Sequence, residues 1–143
     1  MTNWIKFRKL SPTAKEPRYQ TAGAAGMDLH ADQSAIIAIG QTAVIATGIA
    51  IELPPGTMAE IRPRGGIARR GILVHSPPID EDYRGDLGII VTNLSPGGND
   101  FVINVGDRIA QLVVLPVINA ILYDGPLSET LRGNGRFGST GMI

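Results

Sequence analysis

The sequence predicts an all-β domain of short strands, arranged as a sandwich or barrel, and three observations lead there. Its 143 residues include 18 glycines and 10 prolines, residues that cost a helix interior ~1 and ~3 kcal/mol each. Apolar residues come in short runs rich in Ile and Val, each closed by Gly, Pro, Asn or Asp, which is the pattern of sandwiches and barrels. The gaps between runs are too short for helices to alternate with strands, so a parallel α/β sheet is disfavoured.

Taken in order, Trp4–Arg8 is the first expected strand. Ala35–Ile39 runs to Gly40, and Ala43–Leu53 runs to Pro54-Pro55-Gly56. Met58–Arg62 precedes a small-residue turn and one or two helical turns over Gly66–Arg70. Ile72–His75 stops before Pro77-Pro78, Leu87–Asn93 before Pro96-Gly97-Gly98-Asn99, and Phe101–Asn104 before Gly106-Asp107. Arg108–Val114 and Val117–Tyr123, parted by Pro116, complete the set. Residues 1–123 therefore read as a single β domain. Residues 124–143 read as a flexible arm: this stretch is Gly-rich and poor in large apolar groups, and each residue it ordered would cost ~1–2 kcal/mol of backbone entropy.

Composition narrows the function classes. Charged residues are 18% and the net charge is zero, which argues against disorder and against general nucleic-acid binding. The absence of cysteine excludes a disulfide scaffold and a thiolate metal site, and fits a cytoplasmic location. No apolar run reaches the ~18 residues of a membrane span, and the first eight residues hold no apolar signal core. Cations are unevenly placed. Lys6, Lys9 and Lys15 are the only lysines, and every cation after Lys15 is arginine, whose planar fork suits phosphate or carboxylate.

Five segments can carry chemistry. Ala25-Gly26-Met27-Asp28-Leu29 holds an aspartate that also reads as a plain turn residue. Arg64-Gly65-Gly66 before a helical stretch can aim backbone N–H groups at an anion, with Arg64 adding a charge-assisted contact. Pro78-Ile79-Asp80-Glu81-Asp82-Tyr83-Arg84-Gly85-Asp86 offers a carboxylate able to act as general base on water and a tyrosine able to face a sugar or base. Glu81, Asp82 and Asp86 read as solvated turn acids. In Gly106-Asp107-Arg108-Ile109-Ala110-Gln111-Leu112, Asp107 can pair with Arg108, and strand alternation puts Gln111 on the face opposite Arg108 and Ala110. The arm segment Arg132-Gly133-Asn134-Gly135-Arg136-Phe137-Gly138-Ser139-Thr140-Gly141 combines cations, a ring, hydroxyls and closely approachable backbone, as suits a lid over an anionic, ring-bearing ligand.

In this order and spacing the five segments resemble the motifs of the trimeric dUTPase family, from about Ala24 to Gly141. The resemblance implies a distorted jelly-roll-like β-sandwich or barrel with a mobile C-terminal arm, assembled as a homotrimer with shared active sites. It implies Mg²⁺-assisted hydrolysis of dUTP to dUMP and pyrophosphate, which limits uracil in DNA. Asp80 would activate the water that attacks the α-phosphorus, and Tyr83 would pack under the deoxyribose. Backbone around Pro77, Ile79 and Asp80 would read uracil. Arg64, Gly65, Gly66 and Gln111 would approach the phosphates, and Asp28 would sit near the metal, through water. Phe137 would stack on uracil, while Arg132, Gly138, Ser139 and Thr140 would close over the γ-phosphate. No membrane or direct nucleic-acid partner is implied.

Three positions depart from that pattern. Gly65 stands where serine is usual, Pro77 where glycine is usual near the hairpin, and Arg136 where glycine precedes the arm's aromatic residue. Gly65 and Pro77 motivate an alternative, a dUTPase-fold regulatory protein that holds dUTP and turns it over poorly. A deoxycytidine triphosphate deaminase shares the general fold, and a ligand-free β-sandwich module is the bland reading of the composition.

Overall fold

A computed structural model describes residues 4–141 of the chain. Ten strands and one short helix follow in order: β1 (Lys6–Lys9), β2 (Met27–His30), β3 (Ala35–Ile37), β4 (Thr42–Ile45), β5 (Ile49–Glu52), β6 (Thr57–Pro63), α1 (Gly65–Arg69), β7 (Ile72–Val74), β8 (Ile89–Asn93), β9 (Phe101–Ile103) and β10 (Arg108–Pro116). They form four small sheets, β1-β5, β2-β10-β6, β3-β9 and β4-β8-β7, with every strand pair antiparallel. This is a distorted jelly roll, and the described strands do not close into a barrel. No described helix is long and apolar enough to cross a membrane.

The inward faces of these sheets meet in one core. Ile45, Ile89 and Leu112 are completely buried there, joined by Leu29, Ile49 and Leu87. Burying each such side chain is worth roughly 1.5–3 kcal/mol, which is how strands of three to five residues hold together. One polar group stitches the layers. Buried Asn93 donates from Nδ2 to the carbonyls of Ile37 and Asn99, both at 2.9 Å, tying β8 to β3 and to the turn before β9.

The turn residues bound the strands as expected, with three corrections. The run Ala43–Leu53 is two strands, parted at Ala46-Thr47-Gly48. Gly48 has φ +66°, and a Cβ there would lie 2.5 Å from Asp32 Oδ2 and 2.8 Å from the Ala14 Cβ, so only glycine fits this break. Second, Met27–His30 is a strand although Asp28 interrupts its apolar character. Third, Val117–Tyr123 is not a strand. Val117 N–H still bonds to Gly56 C=O at 2.9 Å, but Ile118, Ile121, Leu122 and Tyr123 are almost fully exposed. The helix begins one residue earlier than expected, at Gly65.

Candidate functional site

β6 organises the expected site residues into two groups. One edge of β6 pairs with β10 along seven residue pairs, from Ala110↔Pro63 to Pro116↔Thr57. The other edge receives Ile79 opposite Ala59, through reciprocal backbone bonds of 3.0 and 2.8 Å.

On the Ile79 side lies a cleft of about 200 Å³, lined by Pro77, Ile79, Asp80, Tyr83 and Asp86, with Ile61 and His75 at its back. Asp80 is exposed at its mouth. The Tyr83 hydroxyl donates to the Asp86 carbonyl at 2.9 Å, which fixes the ring across the cleft. The hairpin acids are not simply solvated. The Asp86 carboxylate accepts from the backbone N–H groups of Thr47 (3.1 Å) and Gly48 (2.7 Å), and Glu81 Oε2 accepts from Gly56 N–H at 2.6 Å. Arg84 donates back to the carbonyls of Glu81 and Tyr83. The acids on either side of Asp82 therefore clamp the hairpin to the β4–β5 and β5–β6 turns. Asp80 makes no such side-chain bond among the described residues.

On the β10 side the cluster is electrostatic. Asp28 is 6% exposed, and its Oδ1 and Oδ2 meet Arg64 Nε at 3.1 Å and Arg108 NH1 at 3.2 Å. Arg64 NH1 also donates to the Arg108 carbonyl at 3.0 Å. A buried carboxylate needs such partners, since stranding it would cost several kcal/mol. This corrects two expectations. Arg108 pairs with Asp28, while Asp107 Oδ2 accepts instead from Asn104 N–H at 2.8 Å. And a bulge between Arg108 and Ala110 sets Arg108 opposite His30 and Gln111 opposite Asp28. His30 and Asp28 are two apart and share a face, so Arg108 and Gln111 lie on the same face, not opposite ones. Gln111 Nε2 donates to the Pro63 carbonyl at 3.0 Å, and Gly26 sits so close that a Cβ there would be 2.7 Å from Gln111 Oε1.

Arg64 is the N-cap residue of α1, and Gly65 and Gly66 are its first two helical residues, both exposed. Beyond the adjoining residues and the helix's own backbone, no atom lies within 4 Å of where a Cβ would stand on either glycine. His30, opposite Arg108, is held below the ordinary imidazole range, first by burial and then by the charge of Lys15; Arg108 and Arg64 push the same way and Asp28 opposes them.

The resemblance places Asp28 near the metal through water rather than as a direct ligand. Both its oxygens are engaged by guanidinium groups, and among the described residues no three His, Cys, Asp or Glu side chains stand together to hold an ion. This donor set is compatible with an ion that keeps its waters, the usual habit of Mg²⁺.

The arm residues form a third group, away from both others. Phe137 is fully exposed. Arg132 Nε reaches only the Gly135 carbonyl, at 3.3 Å, and the backbone bonds of Ser139 and Gly141 are to Arg136 and Gly138 within the arm. Arg132, Phe137, Gly138 and Thr140 line one shallow cleft there.

Sequence reasoning missed Arg108, His30 and Asp86. Arg108 and His30 were hidden by the bulge. Asp86 had a usable signal: it faces Gly48, a glycine inside an otherwise apolar run, which marks a break whose N–H groups need an acceptor.

Comparison with known proteins agrees with this geometry. The dUTPase family profile matches residues 13–141. Deoxyuridine 5'-triphosphate nucleotidohydrolases of Anaeromyxobacter sp. (strain Fw109-5) and Syntrophotalea carbinolica are 44% and 46% identical to the chain, each over 96% of it and 97% of the relative. Among solved structures, a Staphylococcus bacteriophage 80alpha dUTPase variant with dUpNHpp superimposes with a TM-score of 0.90 at 26% identity, over 98% of this chain and 99% of that one. A variant dUTPase from phage phi11 of S. aureus, described for its coordination of a structural Mg(II) ion, gives 0.83 at 25% identity, over 90% of this chain and 100% of that one. With the hairpin acid in its cleft, the arginine-clamped aspartate beside the glycine-led helix, and these relatives along nearly its whole length, the chain belongs to the dUTPase family.

Proposed function

We propose that the chain hydrolyses dUTP to dUMP and pyrophosphate, with Asp80 as the base. The observation that carries this reading is the cleft in which Pro77, Ile79, Asp80 and Tyr83 converge. Asp80 takes a proton from water as the water oxygen bonds to the α-phosphorus. The bond from that phosphorus to its bridging oxygen breaks, and pyrophosphate leaves. Tyr83, fixed through Asp86, supports the deoxyribose, and backbone of the hairpin reads uracil. Pro77 has no N–H to offer, so that reading falls to its neighbours and to carbonyls.

Arg64, Gly65, Gly66 and Gln111 receive the phosphates, with charge that develops in the transition state met by preorganised donors. A magnesium ion brought by the triphosphate would neutralise part of its charge, and Asp28 would meet it through water. The arm, residues 124–143, closes as a lid through Phe137 on the base and Arg132, Gly138, Ser139 and Thr140 on the γ-phosphate. The protein works in the cytoplasm on free nucleotide.

The two site groups lie on opposite edges of β6. Ala59 and Arg64 are five residues apart along it, about 16 Å at the rise of an extended strand. A homotrimer would let the hairpin of one copy meet the phosphate cluster of another, so that each site is shared between copies.

The test incubates the purified chain with each deoxynucleoside triphosphate and Mg²⁺ and follows pyrophosphate, base identity and binding. We expect dUTP-selective pyrophosphate release that Asp80→Asn abolishes while dUTP still binds. Tight binding with no turnover by the unaltered chain would favour the regulatory reading. Ammonia from dCTP would favour a deaminase, and absence of nucleotide binding would reject the proposal.

A further inference from the structure

Between Lys15, the β9–β10 turn and α1 lies a second recess, of about 560 Å³, which shares Arg64 with the proposed phosphate cluster and otherwise lies outside the proposed reaction. Its charged lining is Lys15, Arg64, Arg70, Arg108 and Asp107, with His30 at the base. The acid there is already engaged with its own turn through Asn104 N–H. Arg64 and Arg108 share Asp28. Lys15 and Arg70 have no carboxylate partner among the described residues. Both are nonetheless positioned. The Lys15 ammonium lies over Gly106, close enough that a Cβ there would be 2.8 Å from Nζ. The Arg70 guanidinium lies 5.1 Å from the centre of the Phe101 ring, a contact that holds the plane while leaving its N–H edge open. At the base, His30 Nδ1 is buried with no hydrogen-bond partner.

We propose that this recess is a second anion site, which takes a multivalent inorganic phosphate of the pyrophosphate class. Four cations face two acids, Asp107 and the Asp28 shared by Arg64 and Arg108, which leaves Lys15 and Arg70 with no carboxylate partner among the described residues. The phenyl face of Phe101 is covered by Arg70, so it is not open to stack a base. Arg64 and Arg108 reach both this recess and the Asp28 clamp, so an anion that draws them outward loosens their hold on Asp28 and is felt at the substrate phosphates.

The experiment measures binding of labelled pyrophosphate to the full chain by equilibrium dialysis, alone and with a non-hydrolysable dUTP analogue in excess. We expect pyrophosphate to bind in both arms, and more weakly as salt is raised. Lys15→Gln and Arg70→Gln, surface changes outside the core, should each weaken it by about tenfold, the loss of one charge-assisted hydrogen bond. Both should leave the KM for dUTP unchanged without added pyrophosphate. Pyrophosphate that binds only when the analogue is absent occupies the substrate's own phosphate positions, and the proposal falls. It falls equally if both variants bind pyrophosphate like the unaltered chain, or if both raise the KM for dUTP in step. The placing of substrate phosphates elsewhere rests on the proposed function. Should the analogue fail to bind, that reading is the one rejected, and the two variants with pyrophosphate alone still judge the recess.

Discussion

Replacing Gly65 with serine tests the phosphate half of the proposed site. The structure permits the change: beyond the adjoining residues and the helix's own backbone no atom lies within 4 Å of the new Cβ, and Gly65 does not have a positive φ. As the first residue of α1 it should gain a few tenths of a kcal/mol, since glycine is ~0.8–1 kcal/mol worse than alanine in a helix and serine lies between. The hydroxyl would add one preorganised donor where the phosphates are expected. Such a donor is worth ~10²–10³ in kcat in a comparable oxyanion setting, and exposure of this helix end argues for the lower part of that range. The assay is pyrophosphate release from dUTP with Mg²⁺ for the unaltered chain, Gly65→Ser and Gly65→Ala. Alanine matches the gain in backbone rigidity without the hydroxyl. We expect serine to raise kcat by about 10²-fold with little change in KM, and alanine to leave kcat unchanged. Equal gains from alanine and serine would assign the effect to rigidity, and an unchanged serine variant would refute the donor argument.

Other outcomes follow from the same geometry. Asp28→Asn should lower stability by about 1–3 kcal/mol in urea unfolding, below the ~3–5 kcal/mol of a fully buried pair because both arginines are partly exposed. Gly26→Ala places a Cβ 3.1 Å from the Cβ of Gln111, so Gln111 must shift; we expect kcat/KM for dUTP to fall by about 10-fold with the melting temperature little changed. Leu112→Ala should cost about 2–5 kcal/mol, because its side chain is completely buried between β2 and β6. His30 is held below its unfolded pKa, so the unfolded chain binds the extra proton and stability falls as pH drops below about 6.5. Thermal melts at pH 7 and pH 5 should show that loss, and His30→Gln should reduce it.

Much of this molecule was legible because glycine and proline act locally. Gly40, Pro54-Pro55-Gly56 and Pro96-Gly97-Gly98 end strands through their own dihedral preferences. The Asp80–Tyr83 cleft was legible for a related reason, as its members are close in sequence. What stayed hidden depends on partners far along the chain. Asp28 looks like a turn acid until Arg64 and Arg108 arrive to neutralise it, and then it can lie inside a strand. Arg108 and Gln111 read as opposite-facing because alternation assumes a regular ladder, and one bulge reverses the sign. Val117–Tyr123 has strand composition, but its apolar side chains lack a covering surface on this chain. Asp86 reads as solvent-facing until the Gly48 break presents it with two amides.

The seven-pair ladder between β6 and β10 has a consequence for how activity scales. The ladder holds Gln111 on one edge of β6 while Ile79, next to Asp80, docks on the other, and on the proposed trimeric reading each site draws its hairpin and its phosphate cluster from different chains. Two dead variants should then rescue each other. Chains lacking Asp80 and chains altered at Gln111, mixed and allowed to reassemble, will form some sites with an intact hairpin from one parent and an intact phosphate cluster from the other. Dilution should work in the opposite sense, extinguishing turnover at a concentration where every chain is still folded.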